Sequence, residues 1–331
     1  MPQPLHMDGQ GQSAETPSEI PKRGWWSILE RVYSSLKTKN LSILAAGVAF
    51  FAMLSVFPAL AALVAIYGLL ADPATVQRQI NEIHGLIPGE AQNVIATYLK
   101  SLVGSNSSKL GLSLIGSIAI AFWSARAGTV SLMQALNVTY EEEEKRGLIR
   151  FQAVAMGMTV AAVLFAIVAL TLVAAVPAVI QFLPFSRKLK IVGVVAPWPI
   201  LVALVAVGLA ATYRFAPSRR EAKWRWVSWG GVLATLLWLV ASVGFSLYVA
   251  KFGSYDKTFG SLGAIVVLLT WLYLSAYSIL LGACLNAEME HQTARDTTSG
   301  AEKPMGQRGA KMADTVADDT RVFPAQTSDQ L

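Results

Sequence analysis

Residues 258–287 read TFGSLGAIVVLLTWLYLSAYSILLGACLNA, 30 consecutive positions without an Asp, Glu, Lys or Arg. A helix crosses a hydrocarbon core of roughly 30 Å with about 20 apolar residues, so this stretch is long enough to span a bilayer. Four more charge-free runs occupy 40–71, 151–186, 191–213 and 226–250, with 32, 36, 23 and 25 residues. A sixth stretch, 110–140, is interrupted only by Arg126. The whole chain of 331 residues is 54% hydrophobic and 15% charged, against about 25% charged in soluble domains. That balance argues against a water-soluble enzyme and against disorder over most of the length. The fold class is all-α: a polytopic membrane protein with six transmembrane helices, over Leu41–Ala71, Leu110–Gly128, Phe151–Phe182, Ile191–Tyr213, Trp226–Ala250 and Gly260–Leu285.

Orientation follows from Lys and Arg, which accumulate on the cytoplasmic side of a membrane. The two tails, the loop between spans two and three and the loop between spans four and five hold 19 of them; the other loops hold 8. Both termini are therefore expected in the cytoplasm, with Arg187–Lys190 as the one cluster that opposes the rule. The net charge of +6 is accounted for by this asymmetry and by attraction to anionic headgroups. It calls for no nucleic acid; the partners expected are membrane lipids, with a second copy of the chain (a homo-oligomer) or other envelope proteins beside them. Residues 1–24 lack the apolar core of a cleaved signal, so the first span is expected to stay as an anchor. The single Cys284 can form no intrachain disulfide.

Between and beyond the spans, Trp25, Leu29, Val32 and Leu36 recur at helical spacing and predict an interfacial amphipathic helix over 25–37 within a membrane domain of residues 22–291. The outer loop 72–109 opens on Asp72-Pro73, a helix-start pair, and carries a second apolar stripe from Ala91 to Leu102. The tails, 1–21 and 292–331, are polar and expected to be disordered. Pro58 and Pro177 are candidate kinks, whereas Pro197 and Pro199 fall near a helix start, where proline is tolerated.

Familiar catalytic constellations are missing. The histidines are His6, His84 and His291, none in a span and no two at metal-ligand spacing. Gly244-Phe245-Ser246 has no intramembrane histidine to activate its serine, and no phosphate-binding glycine loop occurs. The chain is thus expected to be no enzyme and to need no cofactor or metal. Ionisable residues at membrane depth default to functional candidates. Arg126 has two open readings: it lies about 24 Å along its helix from Leu110, able to snorkel as an anchor, or it lines a path. Asn286 and Glu288 close the last helix as a polar end or as a site. The run Glu141–Glu144 reads as a solvated loop with local ion pairs or as a cation site. Small residues four apart, Ser113/Ser117, Ser242/Ser246 and Ser278/Gly282, allow close helix packing. Gly230-Gly231 and Gly260 to Gly263 are either packing positions or loosened helix starts.

The segment FGSYDKTFGSLG (252–263), continuing through AIVVLLTWLYLSAYSILLGACLNAEMEH to His291, resembles the signature of the YihY/BrkB family of bacterial inner-membrane proteins. Three other blocks resemble it in the same order: AAGVAFFAMLSVFPAL (45–60), AFWSARAGTVSLMQALNVTY (121–140) and YRFAPSRREAKWRWVSWGG (213–231). The resemblance covers about residues 22–291 and implies six spans with both termini inside, at the bacterial inner membrane. It implies functional positions at Arg126, Asn137, Tyr140, Tyr255, Lys257, Asn286 and Glu288, with Gly260, Gly263 and Gly282 in the packing blocks. Cys284 departs from the pattern, standing where family members commonly have a glutamate. The activity the resemblance suggests is transport or envelope homeostasis involving a lipid or small amphiphile; the alternative is a non-transporting scaffold. The family's older ribonuclease label finds no metal-holding cluster in these residues.

Overall fold

The computed structural model describes residues 9–70, 107–175, 180, 186–252 and 261–317. Tyr255, Lys257, Gly260, Pro177 and residues 72–106 of the outer loop lie outside them. The described residues form helices and no strand. They are α1 (Lys22–Thr38), α2 (Leu41–Leu70), α3 (Ser107–Thr139), α4 (Leu148–Leu170, continued by a π turn at Thr171–Ala175), α5 (Arg187–Val195), α6 (Pro197–Phe215), α7 (Trp224–Phe252), α8 (Ser261–Gln292) and α9 (Lys311–Asp314). Four helical stretches are long and apolar enough to cross a membrane: Leu148–Val173, Ile191–Phe215, Trp224–Val249 and Ile265–Gln292. Lys22–Thr38 and Leu41–Val56 together make a fifth candidate, bent by 64° at their junction. The bend sits at Asn40, whose φ of 50° places it in the left-handed region that asparagine tolerates better than most residues. Pro58 leaves α2 helical, and Pro197 opens α6 where a missing N–H costs nothing.

The chain divides into two compact units, one of Met1–Phe50 with Val130–Leu331 and one of Phe51–Thr129. In the larger unit α7 packs most extensively on α8, α6 lies on α7, and α1 crosses α8. Indole donors zip α7 to α8: Trp238 Nε1 donates to Ser275 Oγ at 3.1 Å and Trp271 Nε1 to Ser242 Oγ at 3.2 Å. The fully buried side chains, among them Ile28, Leu136, Tyr140, Tyr213, Trp226 and Leu280, gather toward one end of this unit. Away from that end, Leu164, Val207, Val240, Val243 and Val266 are exposed, as expected of surfaces that meet lipid rather than water.

Two expectations change. The stripe of α1 that is buried is Gly24, Ile28, Val32 and Ser35, not one containing Leu29, which stays exposed with Trp26 and Tyr33. The helix is docked on α8, with Trp25 and Leu36 also packed against the core and Trp26, Leu29 and Tyr33 turned outward. The described parts of the tails, residues 9–21 and 293–317, are also ordered, where disorder was expected. Residues 293–317 fold back over the bundle end: Ala222 and Thr298 form an antiparallel bridge, Lys223 N donates to Thr297 O at 2.8 Å and Arg220 N to Gly309 O at 2.9 Å. Arg308 is the hub, its guanidinium donating to the carbonyls of Ala294, Arg295, Lys303 and Ala313. Asp314 accepts the amides of Gly306, Arg308 and Gly309. The other tail is held in turn, with Gln10 O accepting from Gln292 Nε2 at 2.9 Å and Ala14 O from Thr293 Oγ1 at 2.7 Å.

Candidate functional site

A polar layer forms where α3, α6, α7 and α8 end or begin, and α8 supplies its acids. At about 100° per residue, Glu288 and Glu290 point to nearly opposite sides of the helix. Glu288 faces α1: Arg31 Nε and Ser35 Oγ both donate to its carboxylate at 2.9 Å, while Arg31 also reaches the Glu288 carbonyl and Gln292. Glu290 faces the loop between α6 and α7. Arg219 donates to both of its oxygens at 2.8 Å, a fork-on-fork pair in which both side chains are 0% exposed. Thr297 adds a third donor at 3.1 Å.

The Arg219 guanidinium also lies 4.1 Å over the Tyr140 ring, a cation–π contact strengthened by the absence of water. Burial opposes its charge, but the Glu290 carboxylate overrides that and holds Arg219 protonated beyond its ordinary range. Burial pushes the Tyr140 phenol up and keeps it neutral. The residue follows α3, whose end is a left-handed cap at Glu141, φ 57°, with Glu142 N donating to Asn137 O at 2.8 Å. Glutamate is an unusual occupant of that conformation; here its carboxylate is held by Lys39 at 3.2 Å and Lys311 at 3.1 Å.

Asn137 joins two loops. Its Oδ1 accepts from Ser218 N at 2.7 Å and its amide donates to Glu144 at 3.0 Å. Glu144 in turn receives Arg146 Nε and Nη2, both at 2.7 Å. Burial raises the Glu144 pKa, but the Arg146 and Asn137 bonds outweigh it and bring it down to about 2. A carboxyl depressed from 4.5 binds fewer protons folded than unfolded, so its contribution is fully present above pH 4.5 and is lost as pH falls toward 2. Melting temperature followed from pH 6 to pH 3 is expected to fall less in Glu144→Gln than in the parent, which already lacks that contribution at pH 6. Equal slopes would show that the pair adds nothing.

Asn286 does the same work inside the bundle. Its Oδ1 accepts from Gly230 N at 2.8 Å and its amide donates to Val227 O at 3.2 Å. This holds α7 and α8 so close that a Cβ on Gly230 would run into the Gly282 carbonyl and the Asn286 amide. Gly230 and Gly282 are thus packing positions, and Gly263 is buried in α8. In the smaller unit, the Arg126 guanidinium stacks 4.0 Å over the exposed Trp123 ring, and Gly128 N donates to Ser55 Oγ at 3.0 Å. Of the residues singled out from sequence, Asn137, Tyr140, Asn286 and Glu288 come together in the polar layer; Arg126 belongs to the other unit.

Beside this layer lies a cavity of about 470 Å³, lined by Lys145, Arg146, Arg150, Arg214, Arg219 and Arg220 with a single acid, Glu221. It opens where α4 begins and α6 ends, next to exposed Leu148, Ile149 and Phe215. In the sequence these cations serve as orientation signals, and nothing in their spacing shows that they share a cavity. The run Arg214–Arg225, five cations with one intervening acid, is the nearest signal in the sequence, and three of its cations line the cavity. Among the described residues, no group of three or more His, Cys, Asp or Glu could hold a metal ion.

Comparison with known proteins places these features in a wider set. A family model described as virulence factor BrkB matches residues 32–306. A Bacillus subtilis protein, YfkH, whose name calls it ribonuclease-like, is 29% identical over 265 residues, covering 79% of this chain and 94% of its own. A UPF0761 membrane protein of Nitrosospira multiformis is 24% identical over 262 residues, 78% of this chain and 59% of its own. Another, from Ralstonia nicotianae, is 28% identical over 214 residues, 62% and 45% of the two. The chain thus spans nearly all of the Bacillus relative and about half of the other two. No solved structure matches.

Proposed function

We propose, from the premise that the chain belongs to the virulence factor BrkB family, that it moves, or helps to move, a lipid or small amphiphile. It does so as a six-span protein of the bacterial inner membrane with both termini in the cytoplasm. The observation that carries this reading is the basic cavity at the ends of two apolar helices. A charged basin beside exposed apolar side chains is the chemistry an amphiphile needs at the headgroup level. The excess of Lys and Arg at this end supports its assignment to the cytoplasmic side. No catalytic step is included in the proposal: the buried acids Glu288 and Glu290 are both engaged by arginines, and the ribonuclease-like name belongs to the Bacillus relative.

The test is reconstitution of the full chain into liposomes with a fluorescent phospholipid and a membrane-impermeant quencher. Transbilayer movement is expected to run faster than in protein-free vesicles. Equal rates would overturn the transport reading. A second reading, a non-transporting scaffold, is favoured by a different observation: Asn137, Asn286 and Glu288 sit at the bundle end with their hydrogen bonds satisfied internally. It expects partner capture to survive when translocation is absent.

A further inference from the structure

The charges around the cavity do not balance. Lys145 pairs with Glu142 at 3.4 Å, Arg146 with Glu144 at 2.7 Å, Arg214 with Glu221 at 2.7 Å and Arg219 with Glu290 at 2.8 Å. Each acid is matched to one base. Arg150 and Arg220 remain, and among the described residues neither has an acidic partner; the Arg220 side chain donates only to the neutral carbonyl of Ala301, at 3.0 Å. Two positive charges are thus left over among the residues that line the cavity.

The hydrogen-bond inventory is unbalanced in the same direction. Arg214 Nε, Arg219 Nε and Arg220 Nη1 are buried donors without an acceptor, and all three residues line this cavity. Six basic side chains against one acid around this cavity call for a ligand rich in acceptors and negative charge. A phosphate offers several acceptor oxygens and a charge of about −1 as a diester or −1.5 to −2 as a monoester, and guanidinium forks match its geometry. The wall is positioned by the folded tail, since Gly309 lines it and accepts the Arg220 amide.

We infer that this cavity is a phosphate-binding site, taking the headgroup phosphate of an anionic lipid or free phosphate, with Arg150 and Arg220 supplying the charge that the internal acids leave unmatched. Its lipid form rests on the lipid-handling reading above; its chemistry does not.

The full chain purified in dodecyl maltoside is titrated with dioctanoyl phosphatidylglycerol, dioctanoyl phosphatidylcholine and inorganic phosphate, and compared with the pair Arg150→Gln, Arg220→Gln. Loss of two cations is expected to weaken phosphatidylglycerol binding about thirtyfold, whereas Arg150→Lys with Arg220→Lys stays within a few fold of the parent. If the double Gln variant does not fold, Arg150→Gln alone is used; its side chain is exposed, and about fivefold weakening is expected. Phosphatidylglycerol held against millimolar phosphate identifies the lipid source. Displacement by phosphate that itself binds identifies the free anion. Both outcomes support the site. Binding unchanged in the Gln variants, or no binding of any of the three probes, overturns it. Translocation without phosphate binding sinks this inference alone, and binding without translocation sinks the transport reading alone.

Discussion

Glu290→Ala is expected to lower stability by about 3–5 kcal/mol, the range for removing one partner of a buried ion pair. The cost arises because Arg219 would be left fully buried, facing the Tyr140 ring with its principal counter-charge gone. Thr297 loses its acceptor in the same step. The expected readout is a large fall in the melting temperature of detergent-solubilised protein, accompanied by new protease cleavage within residues 293–317, whose Thr297 is tied to Glu290. Replacing both partners by apolar residues, Arg219→Met with Glu290→Leu, is expected to recover most of the loss, because the desolvation cost of both charges disappears together. Loss in the double variant equal to or greater than that in Glu290→Ala would show that the pair contributes more than mutual neutralisation. That outcome would count against the structural role given to it here.

The second large effect belongs to a methyl group. Gly230→Ala is expected to cost about 1–3 kcal/mol from overpacking and about 1–3 kcal/mol more from stranding the Asn286 side chain. The added carbon would press on the Gly282 carbonyl and the Asn286 amide, so α7 must move away from α8 and surrender the Gly230–Asn286 bond of 2.8 Å. The same helix carries its own control. Gly244 has nothing within 4 Å of where a Cβ would sit, and Gly244→Ala is expected to be neutral or to stabilise by about 0.5–1 kcal/mol through helix propensity. Similar melting temperatures for the two variants would refute the close crossing.

The helices Leu148–Val173, Trp224–Val249 and Ile265–Gln292 were legible because a bilayer imposes one requirement, an uncharged run of sufficient length, and that can be read directly from the sequence. Asn286 and Glu288 were legible as a polar helix end and Asn137 and Tyr140 only through family resemblance, since nothing in their spacing says that they meet. Glu290 was passed over although it lies two residues from Glu288; helical geometry sends the two to opposite sides, and only knowledge of what lies on the far side makes Glu290 important. The tail misled for a related reason. Composition treats polar residues as solvated, but Arg308, Asp296 and Asp314 bind backbone groups of their own segment, while Met312 and Ala313 fill buried space. For α1 the expected face was largely right: Val32 is buried and Trp25 and Leu36 pack against the core, while Leu29 is exposed and Ile28 takes its place.

The tie between Gln292 and Gln10 joins positions 282 apart in sequence. Arg31 emerges from the ribosome in the first tenth of the chain and Arg219 about two thirds of the way along, yet the acids that neutralise both are in α8, which is made after either. Until α8 is made, Arg31 and, once it is present, Arg219 lack their main acceptors, and Gln10 lacks its tie to Gln292. Delivery of α8 supplies both carboxylates together, and the residues behind it then seal the layer. A chain cut before Glu288 would therefore keep both arginines and lose the carboxylates that match them.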